Sequence, residues 1–531
     1  MTTTLLLVAA VILLCLALSR ATSRLGIPAL MVFILLGMLF GADGVFRIAF
    51  DDYDFAEQVC TVSLGFIMFY GGFGTNWRQA RATAVPAALL SSAGVVVTAL
   101  LTGVFCHYAL GVRWLEGLLL GAVVSSTDAA SVFSILRSKQ LNLKHGTASM
   151  LEVESGSNDP CAYMLTTIIL QLMRGGAGFP DMLWRIGAQV AFGAAAGVLV
   201  ALAARWLMTV ARFSTNGYDT ILVFAMAIVS YAGATAVGGN GYLSAYITGI
   251  ILGNSGLPGK KTLVHFFDGV TGLMQMLIFF LLGLLSSPSR LPGVAISALI
   301  AALFLTLVAR PAAVFAILSP FRCPARQSLL VSWAGLRGAS SIVFAIVATV
   351  HPAFLQSDIF HIVFFIVLFS IALQGTFLPL VARKLDMIDN NADVMKTFSD
   401  YSEETPVQFL KLTIDEHHPW AERALSAIDM LPDTRVALVL RDGEQLVPRG
   451  HTMLLPGDKV ILSGPSIDTG DMAVLTEVHV DASHPWAGRR LSDIRMQQHQ
   501  LVVMVKREDD VMIPDGETMI QAGDVLVMNR S

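Results

Sequence analysis

From its first residues to about position 385, the sequence is a succession of apolar windows, each bounded by charge or by Gly/Pro clusters. A bilayer core demands a window of roughly 20 apolar residues, and only a helix or a closed barrel satisfies every backbone N–H and C=O where water is absent. We place thirteen spans, near residues 4–18, 27–42, 57–73, 83–109, 113–136, 146–173, 182–211, 217–237, 241–254, 264–287, 291–318, 327–350 and 358–382. With 55% hydrophobic and 14% charged residues, the whole chain is too apolar for a water-soluble protein.

Beyond residue 385 no window is long enough to span, and the charge changes sign: 22 Lys+Arg stand against 14 Asp+Glu before that point, and 13 against 25 after it. The opening MTTTLLLVAAVILLCLALSR lacks a charged start and reads as the first span rather than a cleaved signal. Placing the acidic tail in the cytoplasm puts sixteen loop Lys/Arg inside, Arg310 among them, and five outside. That bias favours an N-terminus outside and an odd number of spans. The five cysteines are scattered, mostly within apolar windows, and suggest neither a disulfide framework nor a zinc site.

The tail repeats itself at an offset of 66 residues: HPWAERALSAIDM (418–430) returns as HPWAGRRLSDIRM (484–496), and VPRGHTMLLPGDKVIL (447–462) as IPDGETMIQAGDVLVM (513–528). Each copy is predicted as a strand, a short helix opened by Pro419 or Pro485, and further short strands ending at Gly457-Asp458 or Gly523-Asp524 turns. The expected fold is therefore an all-α polytopic membrane domain (1–385), a polar linker (386–405) and a cytosolic α+β tail of two repeated modules (406–467 and 468–531). No GxG occurs after residue 385, which argues against a Rossmann-type NAD site in the tail.

Polar groups at bilayer depth are costly, so each should face the protein interior and mark an ion or proton route. Four stand out: Asp128, Glu154, Asp159 and Arg337. Asp128 follows Ser125-Ser126-Thr127 partway through the fifth window, and Arg337 lies between Gly335 and Gly338 partway through the twelfth. Polar, weakly helical interruptions at corresponding places in two halves point to a transporter built from inverted repeats with broken helices 5 and 12. At about 1.5 Å per residue, Asp159 lies roughly 20 Å along its helix. Glu154 and Asn158 share a helical face, whereas Asp159 points away from it. Glu154 is thus expected to meet Arg337, the one intramembrane cation this reading recognises. Asp159, with no permanent partner, can trade a proton for a cation. Glu116 and Glu152 read as solvated acids near span ends.

On Thr127-Asp128, on ESGSND from Glu154 to Asp159 and on GLRGA from Gly335 to Ala339, residues 1–385 resemble the NhaP-like monovalent cation/proton antiporters. The resemblance implies a homodimer in the bacterial cytoplasmic (inner) membrane, with a helical bundle moving against a dimerisation scaffold. In that scheme Asp159 carries the exchange, Thr127, Asp128 and Ser155 help coordinate the monovalent cation, and Glu154, Arg337 and Asn158 hold the bundle together. Asn158 before Asp159 implies electroneutral one-for-one exchange. Tyr70, in FYGG, stands where close relatives often carry an acid. Each tail module resembles the TrkA-C subdomain of regulators of potassium conductance. This implies K+/H+ exchange, with Na+/H+ exchange as the alternative and a small regulatory ligand, such as a nucleotide, on the tail. A ligand-gated cation channel is the alternative of another class. No nucleophile constellation, resident cofactor or nucleic-acid partner is expected.

Overall fold

The computed structural model describes residues 2–389 apart from 26–28, 76, 139–140, 176–177, 211–216, 256, 258–259 and 352–356, together with the tail strands and turns given below. Residues 390–405 of the expected linker lie outside the described residues, as do the loop charges Lys139 and Arg212. The chain divides into two compact units, Met1–Ser402 and Glu403–Ser531.

The first unit is helical. Among the described residues, six helices are long and apolar enough to cross a membrane: Ala84–Leu110, Pro180–Val210, Tyr218–Ala236, Thr262–Leu285, Pro288–Phe321 and Ile359–Lys384. Shorter apolar helices accompany them, including Ala29–Phe40 and Gly241–Gly253. Three of the long helices each contain one wide π turn, at Leu90–Gly94, Leu305–Ala309 and Ser370–Gly375. Such turns rotate the face that follows them and gather at functional places. Here the second leads directly into Arg310, and the third opens with Ser370.

Two apolar windows are interrupted. Helix Trp114–Val123 stops and Ala129–Ser138 resumes after residues 124–128; helix Ala325–Trp333 stops and Ala339–Val350 resumes after residues 334–338. The interrupting sequences, VSSTD and AGLRG, are rich in residues that either compete with the helical backbone through their own side chains or carry the highest backbone entropy. The two breaks cross each other, and the Asp128 N–H donates to the Leu336 carbonyl at 2.8 Å.

The first residues of the expected linker are held against the helical unit. Lys144 N–H donates to Met387 O at 2.9 Å and Asp389 N–H to Asn142 O at 3.0 Å, while Leu143 and Ile388 form an antiparallel bridge. Met387, 2% exposed, packs in a cluster with Leu136, Leu143 and Leu151.

The second unit holds two four-stranded antiparallel sheets. The first orders β1 (Val407–Thr413), β4 (Lys459–Pro465), β2 (Arg435–Arg441) and β3 (Glu444–Leu446); the second repeats that order with β5 (Leu475–His479), β8 (Val525–Arg530), β6 (Gln500–Arg507) and β7 (Asp510–Met512). Even the irregularity repeats, since the register shifts between Val436 and Leu438 in one sheet and between Val502 and Met504 in the other. The expected helix after each proline is instead a turn followed by a single 3-10 turn, Leu425–Ala427 or Leu491–Asp493. Its physical cause is a left-handed residue three positions after each proline, Glu422 (φ 58°) and Gly488 (φ 75°), where an α-helix cannot continue. Gly457-Asp458 and Gly523-Asp524 are more than turns. Asp458 and Asp524 are 1% exposed, and each is gripped by two guanidinium nitrogens, from Arg441 (2.8 and 2.7 Å) and Arg507 (2.8 and 2.8 Å).

Candidate ion-exchange site

The crossing of the two breaks brings opposite helix ends together, where unpaired backbone groups leave partial charges. Arg337 answers the negative end. Its Nη1 donates to the carbonyls of Ser125 (2.8 Å) and Ser126 (2.6 Å), just beyond the end of Trp114–Val123, and its backbone N–H donates to Ser370 Oγ at 3.0 Å. Asp128 answers a positive end. Its carboxylate caps helix Ala129–Ser138, accepting from Ser131 N–H at 3.3 Å and from the Ser131 hydroxyl at 2.6 Å. Gly338 makes the crossing feasible, because a Cβ there would come within 2.1 Å of Asp128 Oδ2.

Helix Thr147–Met173 passes this crossing and carries Asp159, 4% exposed, on its buried side. The hydroxyl of Ser126, from the first break, donates to Asp159 Oδ1. Ser126 Oγ also lies 2.7 Å from Ser340 Oγ, just after the second break, and the Ser340 hydroxyl faces the same carboxylate. Each break thus presents one hydroxyl to the acid. One turn back, Ser155 Oγ donates to Thr127 O at 2.6 Å, and the adjacent Asn158 Nδ2 donates to Thr127 Oγ1 at 2.5 Å, which clamps the Asp159 helix to the first break.

The structure corrects the expected pairing of Glu154 with Arg337. Glu154 Oε1 lies 2.5 Å from Arg310 Nη2, and the two side chains are 1% and 2% exposed. The reason is local: the wide turn Leu305–Ala309 brings Arg310 inside the bundle, so it is not a loop charge, and Arg337 is already committed to carbonyls. Gly335 leaves the space, since a Cβ there would stand 2.9 Å from Arg310 Nε. Glu116 and Glu152 are likewise buried rather than solvated, at 0% and 7% exposure, and Glu116 accepts from Ser357 N–H at 3.1 Å.

A cavity of about 370 Å³ opens beside Asp159. One wall carries Thr127, Asp128, Ser155, Asp159 and Ser340; the facing wall, from helices Tyr53–Gly74 and Lys260–Leu285, carries Tyr70, Asp268, Thr271 and Gln275. Hydroxyl and carboxylate oxygens on a carboxylate-bearing wall are hard ligands, suited to an alkali cation or a proton.

Residues 9–384 match the family described as sodium/hydrogen exchanger, transmembrane. The chain belongs to that family. In this exchanger the tail, over residues 409–471 and 475–528, matches the TrkA-C domain twice. The chain is 33% identical to the K(+)/H(+) antiporter NhaP of Alkalimonas amylolytica, across 89% of this chain and 83% of that one. It is 35% identical to the K(+)/H(+) antiporter NhaP2 of Shewanella oneidensis, across 84% and 78%. Its fold is similar to that of the sodium proton antiporter MjNhaP1 from Methanocaldococcus jannaschii, with a TM-score of 0.62 at 22% identity, covering 72% of this chain and 99% of that one.

Four groups of the exchanger's site escaped the sequence reading: Ser126 and Ser340 on Asp159, Arg310 on Glu154, and Asp268, which accepts a hydrogen bond from the Tyr70 hydroxyl. A signal for Arg310 was present, because it stands inside an unbroken apolar run from 291 to 318.

Proposed function

We propose that this exchanger trades K+ for H+, one for one, by alternating access at Asp159, in thirteen spans of the bacterial inner membrane with its N-terminus outside and its tail in the cytoplasm. The observation that carries the reading is the company Asp159 keeps. It touches hydroxyls, while both buried guanidinium groups nearby are engaged elsewhere, Arg310 with Glu154 and Arg337 with carbonyls. A carboxylate fixed by a guanidinium has no use for a cation; one held by hydroxyls accepts either a proton or an alkali ion.

The same geometry supports coupling. With a proton or with K+, Asp159 is neutral and its helix can cross the apolar barrier between the two access states; empty, it is a buried charge whose exposure to lipid or apolar wall is costly. Asn158 donates to Thr127 and adds no second charge, which supports an electroneutral cycle. Thr127, Asp128 and Ser155 supply further oxygens, and Glu154, Arg310 and Arg337 hold the moving bundle. By this orientation the cavity faces the cytoplasm. We further read the protein as a homodimer whose TrkA-C modules take a small regulatory ligand. The names of the relatives from Alkalimonas and Shewanella favour K+, and that of the Methanocaldococcus neighbour favours Na+.

The test is proton-coupled exchange in proteoliposomes with K+, Na+ and Li+ side by side. Wild-type protein is expected to exchange K+ at the lowest concentration, and Asp159→Asn to abolish exchange of all three. Wild-type rates from Asp159→Asn would remove it as the carrier, and cation flux without proton return would identify a channel instead.

A further inference from the structure

The cavity has a second acidic wall. Asp268 lies opposite Asp128 and Asp159, on helix Lys260–Leu285, and unlike Asp159 it is exposed. Its Oδ1 accepts a hydrogen bond from the hydroxyl of Tyr70, which is 8% exposed.

Depth separates the two acids. Asn254 Nδ2 donates to Thr75 O at 2.8 Å and Lys260 Nζ donates to Gly253 O, so the end of Tyr53–Gly74 and the start of the Lys260 helix lie at one end of the bundle. Tyr70 is four residues from the end of its helix, and Asp268 eight residues from the start of its own, about 12 Å at 1.5 Å per residue. Trp77 N–H donates to Asn254 Oδ1 at 2.9 Å and Ala80 packs in one cluster with Ala148, so the Asp159 helix starts at that same end; Asp159 is twelve residues beyond Thr147, about 18 Å. The cavity therefore runs from an exposed carboxylate to a buried one.

We propose that Asp268, tethered by the Tyr70 hydroxyl, is the recruiting carboxylate at the mouth of the exchange cavity, a cation-binding residue that concentrates alkali ions for delivery to Asp159. The inference rests on the cation-exchange reading above.

The chemistry of the tether supports the role. An exposed aspartate with no partner samples rotamers that point into bulk water; a hydrogen bond from a buried phenol keeps this one on the cavity wall. A phenol is neutral, so it fixes the carboxylate without cancelling its charge, as a lysine or arginine would. When a cation arrives, the phenolic oxygen has lone pairs and joins the carboxylate as a ligand. A charge at the mouth of a low-dielectric cleft raises local counter-ion concentration, which appears in the apparent affinity rather than in the turnover of the loaded carrier.

The test measures initial rates of K+-dependent proton exchange by the full chain in proteoliposomes, over a range of K+ concentrations, at low and at raised ionic strength. Asp268→Asn is expected to raise KM for K+ about fivefold at low ionic strength with kcat held, the equivalent of about 1 kcal/mol from one charge at about 4 Å in water. The difference should shrink at raised ionic strength, as the screening length falls from about 30 Å at 0.01 M to about 10 Å at 0.1 M. Asp268→Glu should keep most of the wild-type affinity, and Tyr70→Phe should fall between the two. A double variant should be no worse than Asp268→Asn alone, because both act through one carboxylate. An unchanged KM in Asp268→Asn, or a loss of kcat at unchanged KM, would overturn the proposal. An Asp159→Asn arm keeps the two readings apart: normal exchange there removes Asp159 as carrier, while the KM comparison still decides Asp268.

Discussion

The backbone N–H of Asp128 donates to the carbonyl of Leu336 at 2.8 Å, so each broken helix supplies part of the hydrogen bonding that the other has lost. That bond requires the two breaks to touch, and Gly338 permits the touch. Replacing it by alanine sets a Cβ 2.1 Å from Asp128 Oδ2 and 2.5 Å from Asp128 Cβ, so the crossing must open. Misplacing a reacting group by about 1 Å costs on the order of 100-fold in rate. Gly338→Ala is therefore expected to reduce exchange by about that factor, whereas Gly293→Ala, where a Cβ meets nothing within 4 Å, should transport normally. Equal rates for the two variants would contradict the packing argument.

Glu154 and Arg310 test a different property, stability. Removing one partner of a fully buried ion pair strands a charge at a cost of about 3–5 kcal/mol, while replacing both with apolar residues is often nearly neutral. Arg310→Met and Glu154→Leu are each expected to melt at a clearly lower temperature than wild type in detergent, and the double variant to recover much of the loss. A double variant less stable than either single one would show that the two side chains have other partners that matter more.

Much of this arrangement was legible in the letters. Serine, threonine, aspartate and glycine inside apolar windows are expensive unless they interrupt the helix, so both breaks, and Asp128, Asp159 and Arg337 with them, stand out. Arg310 does not. Its place inside an apolar run is a signal, but Arg-Pro ordinarily marks a helix boundary and so reads as a loop charge, and the wide π turn that swings the arginine inward is invisible in composition. Ser126 and Ser340 are hidden for another reason, since hydroxyls in buried helices usually bond back to their own carbonyls, as Thr166 does to Ala162 O at 2.8 Å. In the tail the repeat gave away the strands, but Gly-Asp reads as a turn whether or not its aspartate is buried. The left-handed Glu422 carries no signal, although its counterpart Gly488 does.

Electroneutrality is open to a direct measurement. If each cycle moves one cation against one proton, an imposed voltage contributes nothing; each net charge moved would couple about 2.3 kcal/mol per 100 mV. Exchange in vesicles with the potential clamped at about 0 or about −100 mV should proceed at equal rates and reach the same end point. A voltage-driven shift in the end point would require a second charge in the cycle, which Asn158 does not provide.

The tail should lose stability in acid. Hydrogen bonds from Arg441 hold the Asp458 carboxyl below the usual carboxylate range, against the opposing effect of burial and with help from Leu455 N–H; Arg507 and Gln521 N–H do the same for Asp524. A depressed folded value means the stabilisation is complete above the unfolded carboxyl value, about 3.9, and is lost as pH falls through the lower folded value. Protection of tail amides in the full chain, taken relative to the intrinsic exchange rate at each pH, is thus expected to be unaffected by these two acids from about pH 7 to about pH 5, and to fall in both modules below about pH 4. In Arg441→Ala the first module should already exchange faster at neutral pH. Protection that persists into strong acid would rule out the two pairs as supports of their sheets.

Magnitudes also decide what fastens residues 386–389 to the loop before the Asp159 helix. The ionic contacts look prominent, with Lys144 Nζ 3.0 Å from Asp386 Oδ1 and Arg326 Nη1 3.7 Å from Asp386 Oδ2, but Asp386 is 71% exposed. Solvent-exposed pairs of this kind contribute little to stability, and less still in salt. Met387 is 2% exposed, and truncating a buried side chain of that size costs about 2–5 kcal/mol. Lys144→Ala should accordingly leave the unfolding temperature within error of wild type, while Met387→Ala lowers it and exposes the Leu143–Ile388 bridge to faster hydrogen exchange. The opposite ranking would mean that the attachment is electrostatic, and it would then weaken on adding salt, which the apolar anchor does not.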